Sequence, residues 1–446
     1  MAAAVFYTGW DLLGARELKP ERRIDSKTLF DLVKLSFGVV AGAGALVALV
    51  VAYRRQRVDE DGALRDATRL HTERFTTAVS QLGDESAAVR LGGVHALAGL
   101  ADDAPTRDLR QTCIDVLCAY LRLPYTAEAD LPANDVEARH TYLALREVRH
   151  TIIRLIGDRL RPPADYHPSW QGHDFDFRGV VFDGGDFSRV RISSDCMVNF
   201  GGATFSGGLV NFYDSTFSGG SVNFGGATFS GGLVNFEGSR FSGSRVSFHG
   251  ATFSGGTVEF QGSHFSDGRV DFMEATFSSG TVHFDRATFS GGTVQFVLSR
   301  FSGSRVVFHL AQFDRIGSPF PWGTLADFSG ATFSGGTVEF TEATFGGGNV
   351  CFSQATFDGS TVDFVGSAYS GGTVDFQRAR FSDGTVDFSG VTLPNHTLYF
   401  GEATFSGGIV NFDGASGAAP PSLLPLTGSP PPNGLILPAA WQPGAS

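Results

Sequence analysis

Three acidic residues, Glu339, Asp363 and Asp387, recur at intervals of 24 residues. Placed on successive turns of a stacked β fold, they would stand ~4.8 Å apart. Carboxylates that close raise one another's pKa or draw in a cation. Otherwise they form a solvated acidic stripe. These three residues are the candidate interaction stripe. Other chemistry-bearing residues show less order. His249, His264, His283 and His309 fall at unrelated spacings and make no metal-ligand cluster. Cys113, Cys118, Cys196 and Cys351 have neither metal nor redox spacing, and Cys113 and Cys118 read as helix-core residues. The many Gly-Gly pairs are not followed by Gly-Lys-Ser/Thr, so they are not phosphate loops. No nucleophile is matched to a base. The reading is a non-enzyme with no catalytic, cofactor-binding or metal residues.

The elements that would position the acidic stripe come from a repeat. From Phe200 to Phe412 one twelve-residue unit recurs, as in FGGATFSGGLVN from Phe200 and FSGATFSGGTVE from Phe328. Seventeen periods and one eight-residue insertion fill this span. The first position is Phe, the fourth small, the sixth Phe and the eleventh Val. Phe200, Phe205, Val210, Phe212, Phe217, Phe224, Phe229 and Val234 are therefore the expected core. Val-x-Phe and Ala-x-Phe are period-two pairs, the mark of a strand with one buried face. The Gly-rich SGGT links between them read as corners, because glycine tolerates positive φ. Two glycines per twelve residues, at ~1 kcal/mol each, exclude a helix. Glycine at other than every third position excludes collagen. A short fixed period means stacked units that cannot bury their apolar faces alone. The expected architecture is an all-β solenoid with two units, 24 residues, per coil. About nine coils would make a rod roughly 40–45 Å long.

Just upstream, Phe177, Phe182, Phe187 and Ile192 lie five apart. Here the chain resembles the pentapeptide-repeat family. That resemblance implies a right-handed, four-sided β-helix with a central Leu or Phe every five residues. The twelve-residue units carry two residues beyond a pair of five, so alternate corners should be enlarged. The repeat domain is expected over 172–413, with a surface loop at the insertion, residues 315–324, which holds Pro319, Pro321 and Trp322.

Ahead of the repeat, a polar segment (1–34) precedes nineteen uncharged residues, Leu35 to Tyr53. That length suffices to cross a bilayer once. Arg54, Arg55 and Arg57 follow directly and favour a cytoplasmic C-terminal side, although residues 15–34 and 54–73 hold six and five basic residues. The prediction is a single-pass cell-membrane protein with a cytoplasmic repeat domain. Gly38 and Gly42 have the spacing that packs two membrane helices, which would make a homo-oligomer. Residues 58–162 read as amphipathic helices, and Ala88-Val89-Arg90 with Ala96-Leu97 resembles a HEAT-like helix pair. The order of anchor, RFTTAVSQLG, VRLGGVHALAGL, RQTCIDVLCAYLR, SWQGHDFDF and repeats resembles membrane-anchored pentapeptide-repeat proteins of actinobacteria. The tail, 414–446, is rich in Pro, Gly, Ala and Ser and is expected to be disordered, with Leu423, Leu424 and Ile436 available to cap the solenoid end. Leu424-Pro425-Leu426-Thr427-Gly428 matches a sortase signal by coincidence, since no basic tail follows.

The net charge is −12. Residues 166–446 carry 23 acidic and 12 basic residues, a net −11, while Lys19, Lys27 and Lys34 all precede the anchor. Direct nucleic-acid binding is not expected. The composition and order predict a membrane-tethered scaffold that docks a protein partner. The family resemblance implies an alternative, a DNA mimic that binds gyrase. Charge weighs against it, because ~45 Å of duplex carries roughly 26 charges at one per ~1.7 Å.

Overall fold

The computed structural model describes Asp11 and residues 25–162, 169–193, 196–266, 268–314, 324–394, 397–420, 422–423 and 431–442. The insertion residues 315–323 and the Leu424–Gly428 motif lie outside them. The chain divides into two units, Met1–Leu70 and His71–Ser446.

The first unit holds most of helix α1 (Ser26–Leu82). An 18-residue window of it has mean hydropathy 2.3, and none of that window is buried. The helix is long and apolar enough to cross a membrane. It does not stop at Tyr53. The apolar span and the first amphipathic segment, read above as two elements, lie in one helix, because no Pro separates them and the lone Gly62 is tolerated inside it.

In the second unit, residues 71–82 of α1 pack with α2 (Ala87–Asp102), α3 (Arg107–Leu121) and α4 (Val136–Leu160). Side-chain caps start α3 and α4. Thr106 Oγ accepts from Leu109 N at the head of α3, and Asp135 Oδ1 from Ala138 N at the head of α4. Cys113, Ile114, Leu117, Cys118 and Leu121 recur at helical spacing and are all buried. Burial holds the Cys118 thiol up at about 12 and the Cys113 thiol at about 11. Neither is a nucleophile at neutral pH.

From Phe175 onward the chain winds as a right-handed parallel β-solenoid of about 10 coils. Among the described residues two sheets have ten strands each and a third has fifteen. Every strand partner sits one coil away in register, as in Phe229↔Phe253 and Val234↔Val258. The twelve-residue unit is thus half a coil. Four phenylalanine columns fill the interior. Phe200 stacks on Phe224, Phe205 on Phe229 and Phe212 on Phe236 at 4.7 Å, and Phe217 on Phe241 at 4.9 Å. Columns meet edge to face across the core, as Phe224 does with Phe236 at 88°. The fourth position must be small to admit these rings. Where it is Ser the buried hydroxyl finds an acceptor, a backbone carbonyl for Ser239 (Phe212 O at 2.8 Å) and the Tyr369 hydroxyl for Ser367.

The corners differ from the sequence reading in one respect. The tight corners lie at the third position of each unit, which takes positive φ whether it is Gly250 (63°) or Leu298 (58°). From Thr252–Glu259 to Arg380–Asp387 the SGG link on one side is no corner. It is a bulge inside an eight-residue strand that fuses two faces of the rod. The insertion leaves the columns undisturbed, since Phe296 stacks on Phe328 at 4.6 Å across 32 residues.

The tail corrects a second expectation. Leu435–Ile436 adds a strand beside Ile409–Asn411, and Leu423, Leu435, Leu437 and Trp441 are buried. Trp441 sits 5.5 Å from Phe412, the last ring of its column. An open column end exposes apolar rings and unpaired backbone, and this segment covers both. Ile436 faces outward, 45 % exposed.

Candidate interaction surfaces

Because core positions alternate with outward ones, each outward position forms a straight ladder. The face that carries Glu339, Asp363 and Asp387 pairs them in register, Glu339↔Asp363 and Asp363↔Asp387, with Asn411 next. They are half-buried rather than freely exposed. Asp363 Oδ1 accepts from Val365 N at 2.7 Å and Asp387 Oδ1 from Ser389 N at 2.8 Å. The same bond recurs at Asn235 and Asp375. Position twelve thus braces the tight corner with an Asx-type turn. Glu339 is matched instead by a two-pronged pair with Arg305, at 2.7 Å for each prong. Burial raises the Asp363 pKa, and the charges of Asp387 and Glu339 add to the rise. Among the described residues no group of three or more His, Cys, Asp or Glu could hold a metal ion.

The predicted core residues Phe200, Phe205, Val210, Phe212, Phe217, Phe224, Phe229 and Val234 are all buried in the columns. Gly38 and Gly42 lie in α1 with nothing within 4 Å of where a Cβ would stand. The four histidines stay apart. His283 Nδ1 meets Asp285 at 2.9 Å, and His309 Nδ1 meets Thr341 O at 3.1 Å.

The residues that join the helices to the first coil were not singled out from the sequence. Asp102, the last residue of α2, takes a two-pronged pair from Arg159 and the indole N–H of Trp170. Arg149, buried, spans from Leu121 O to Val181 O at 2.7 Å each and lies over the Tyr125 ring. Asp183 accepts from Tyr125 at 2.6 Å and Tyr142 at 2.7 Å, and contacts His150 Nε2 at 3.1 Å. Burial by itself would raise the Asp183 pKa. The bonds from His150, Tyr125 and Tyr142 outweigh it and hold the carboxyl well below the usual range. Isolated acids and aromatics carry no periodicity, so only the fold reveals this cluster. The sole hint was the SWQGHDFDF segment ahead of the repeats.

Parallel strands wind around columns of rings, with a small residue two before the second ring of each twelve-residue unit. Residues 177–228, 219–257, 236–281 and 371–416 match the family model for pentapeptide repeats. Those stretches of the rod are similar to pentapeptide repeats. Two similar solved structures are trypsin-treated variants of QnrB1, a plasmid-mediated fluoroquinolone resistance protein. One shares 13 % identity over 50 % of this chain and 86 % of its own, and the other 18 % over 45 % and 89 %, both with TM-score 0.16. No curated protein matches. The centre of the rod is filled by buried side chains, mostly rings, so recognition is left to the outer ladders.

Proposed function

We propose that this protein is a non-enzymatic scaffold, tethered to the cell membrane by the apolar part of α1, whose pentapeptide-repeat rod docks a protein partner. The observation that carries this reading is the pairing of a filled core with flat, in-register outer faces. A ring-packed interior leaves no room for a substrate. The faces offer polar side chains at coil spacing, such as Thr337, Thr361 and Thr385 on fused eight-residue strands. Rigid ladders of this kind bind without the ordering cost a loop would incur. Arg54, Arg55 and Arg57 support a cytoplasmic rod. Gly38 and Gly42 support a second copy packed along α1. The helices of the second unit are read as HEAT-like, and the whole as kin to the membrane-anchored actinobacterial group, on the sequence resemblances given above.

The test is site-specific photo-crosslinking of the full chain in its native membranes. A crosslinker at Thr361 should capture one reproducible partner that a crosslinker at exposed Ser416, at the far end of another face, does not. Only self-crosslinks, or none, would sink the docking reading. A DNA mimic would instead inhibit or protect gyrase in a supercoiling assay. The net −11 of residues 166–446, against roughly 26 charges on duplex of this length, argues for unaffected supercoiling.

A further inference from the structure

Away from the rod, the helices enclose an apolar cleft of about 430 Å³. Its walls are Val79 and Leu82 from the end of α1, Val116 and Ala119 from α3, and Leu145 from α4, with Leu123 on the rim. Leu123 is 56 % exposed, so the apolar surface is open to an occupant. Small-molecule sites have this size and composition, an apolar lining with a few placed polar groups.

The polar groups of the cleft differ in how far they are committed. Arg149 is fully engaged by two carbonyls and the Tyr125 ring. The Tyr125 hydroxyl is taken by Asp183. Asp84 accepts from Ser86 N at 2.8 Å. Arg90 is the exception. Its guanidinium reaches Tyr120 Oη and Glu85 O, each at 3.3 Å, and no carboxylate pairs with it among the described residues. Its Nε is shut off from solvent without an acceptor. A half-buried cation with an unspent donor beside an open apolar wall lacks two things: an anionic acceptor and apolar cover.

We infer that the cleft binds a single-chain anionic amphiphile, a long-chain fatty carboxylate, with its head on Arg90 and its chain along Val79, Leu82, Val116 and Leu145. The carboxylate accepts from the Nη N–H donors that Tyr120 Oη and Glu85 O leave unspent, and charge-assisted bonds are the strong ones. The alkyl chain covers the wall that Leu123 leaves open. This site is independent of the rod and of its partner.

The test is equilibrium binding of radiolabelled palmitate to the full-length protein in phosphatidylcholine nanodiscs, with empty nanodiscs as background. Palmitate should bind saturably at one site per chain. Hexadecanol, which has the same chain without the charge, should bind at least tenfold more weakly. Ala119→Trp, which fills the cleft, should abolish binding of both. Arg90→Gln should weaken palmitate at least tenfold and leave hexadecanol unchanged. The proposal fails if wild-type binding does not saturate, if palmitate and hexadecanol bind alike, or if Ala119→Trp binds palmitate undiminished. The comparison of the two ligands on the wild type stands even if a variant does not fold.

Discussion

The indole Nε1 of Trp170 donates to Oδ1 of Asp102 at 2.8 Å, across 68 residues of chain. It ties the last turn of α2 to the segment that enters the first coil. The start of a solenoid is an open edge, and here the helices of the second unit cover it. Arg159 completes the joint by pairing with the same carboxylate.

Asp102→Ala removes the acceptor for both groups and leaves Arg159 with a largely buried, unpaired charge. Breaking such a pair costs about 3 kcal/mol or more. The variant should lose hydrogen-exchange protection at residues 170–177 while coils beyond Phe248 keep theirs. Uniform loss along the rod would show that the joint is not local.

Asp183 predicts an acid-side effect. Its folded pKa is depressed, so its contribution is fully present above the unfolded value, about 4. It is lost as pH falls from there through the lower folded value. Wild-type unfolding free energy should therefore drop with acid below about pH 4 more steeply than that of Asp183→Asn. The two should run parallel from pH 5 to pH 7. Urea titrations at each pH read the difference.

One bulge and one corner substitution should act with opposite sign. Gly256 has φ 66°, and a Cβ there would stand 2.5 Å from Gly232 O in the coil beneath. Gly256→Ala should cost more than about 2 kcal/mol, from strain and the backbone clash together. Leu298 holds φ 58° with a side chain 53 % exposed. Leu298→Gly relieves that strain with little burial lost and should be neutral to about 1 kcal/mol more stable. Thermal unfolding of the pair checks both signs.

The cap at the far end gives an assembly prediction. Trp441 donates to Gly417 O at 3.0 Å and covers Phe412. Trp441→Ala should cost up to about 3 kcal/mol locally and free the strand at Leu435–Ile436. Val410 N and Phe412 N then lose their acceptors, Gly434 O and Ile436 O. An unpaired edge invites another chain. Sedimentation should show concentration-dependent association beyond that of the wild type.

Much of the fold was legible because each coil repeats the same local statement. Phe at two positions, Val at a third and a small residue between them can be satisfied only by a winding that stacks like on like. Residues 24 apart then meet, so the coil length, the inward set and the pairing of Glu339 with Asp363 follow from the period alone. The apolar run from Leu35 to Tyr53 was equally plain, since nineteen uncharged residues need no partner to be recognised.

What has no period had to wait for the tertiary structure. Asp102, Trp170, Arg149 and Asp183 meet across 28 to 68 residues, and chain spacing does not encode such distances. The role of position twelve as a corner brace depends on backbone N–H groups that face it only once the corner is turned. The tail reads as disordered by composition, yet a short apolar segment gains order when a column end of rings and unpaired backbone stands open beside it. Repetition specifies contacts between neighbours in the stack. Ends and joints, having no neighbour of their own kind, are decided by what the folded chain brings to them.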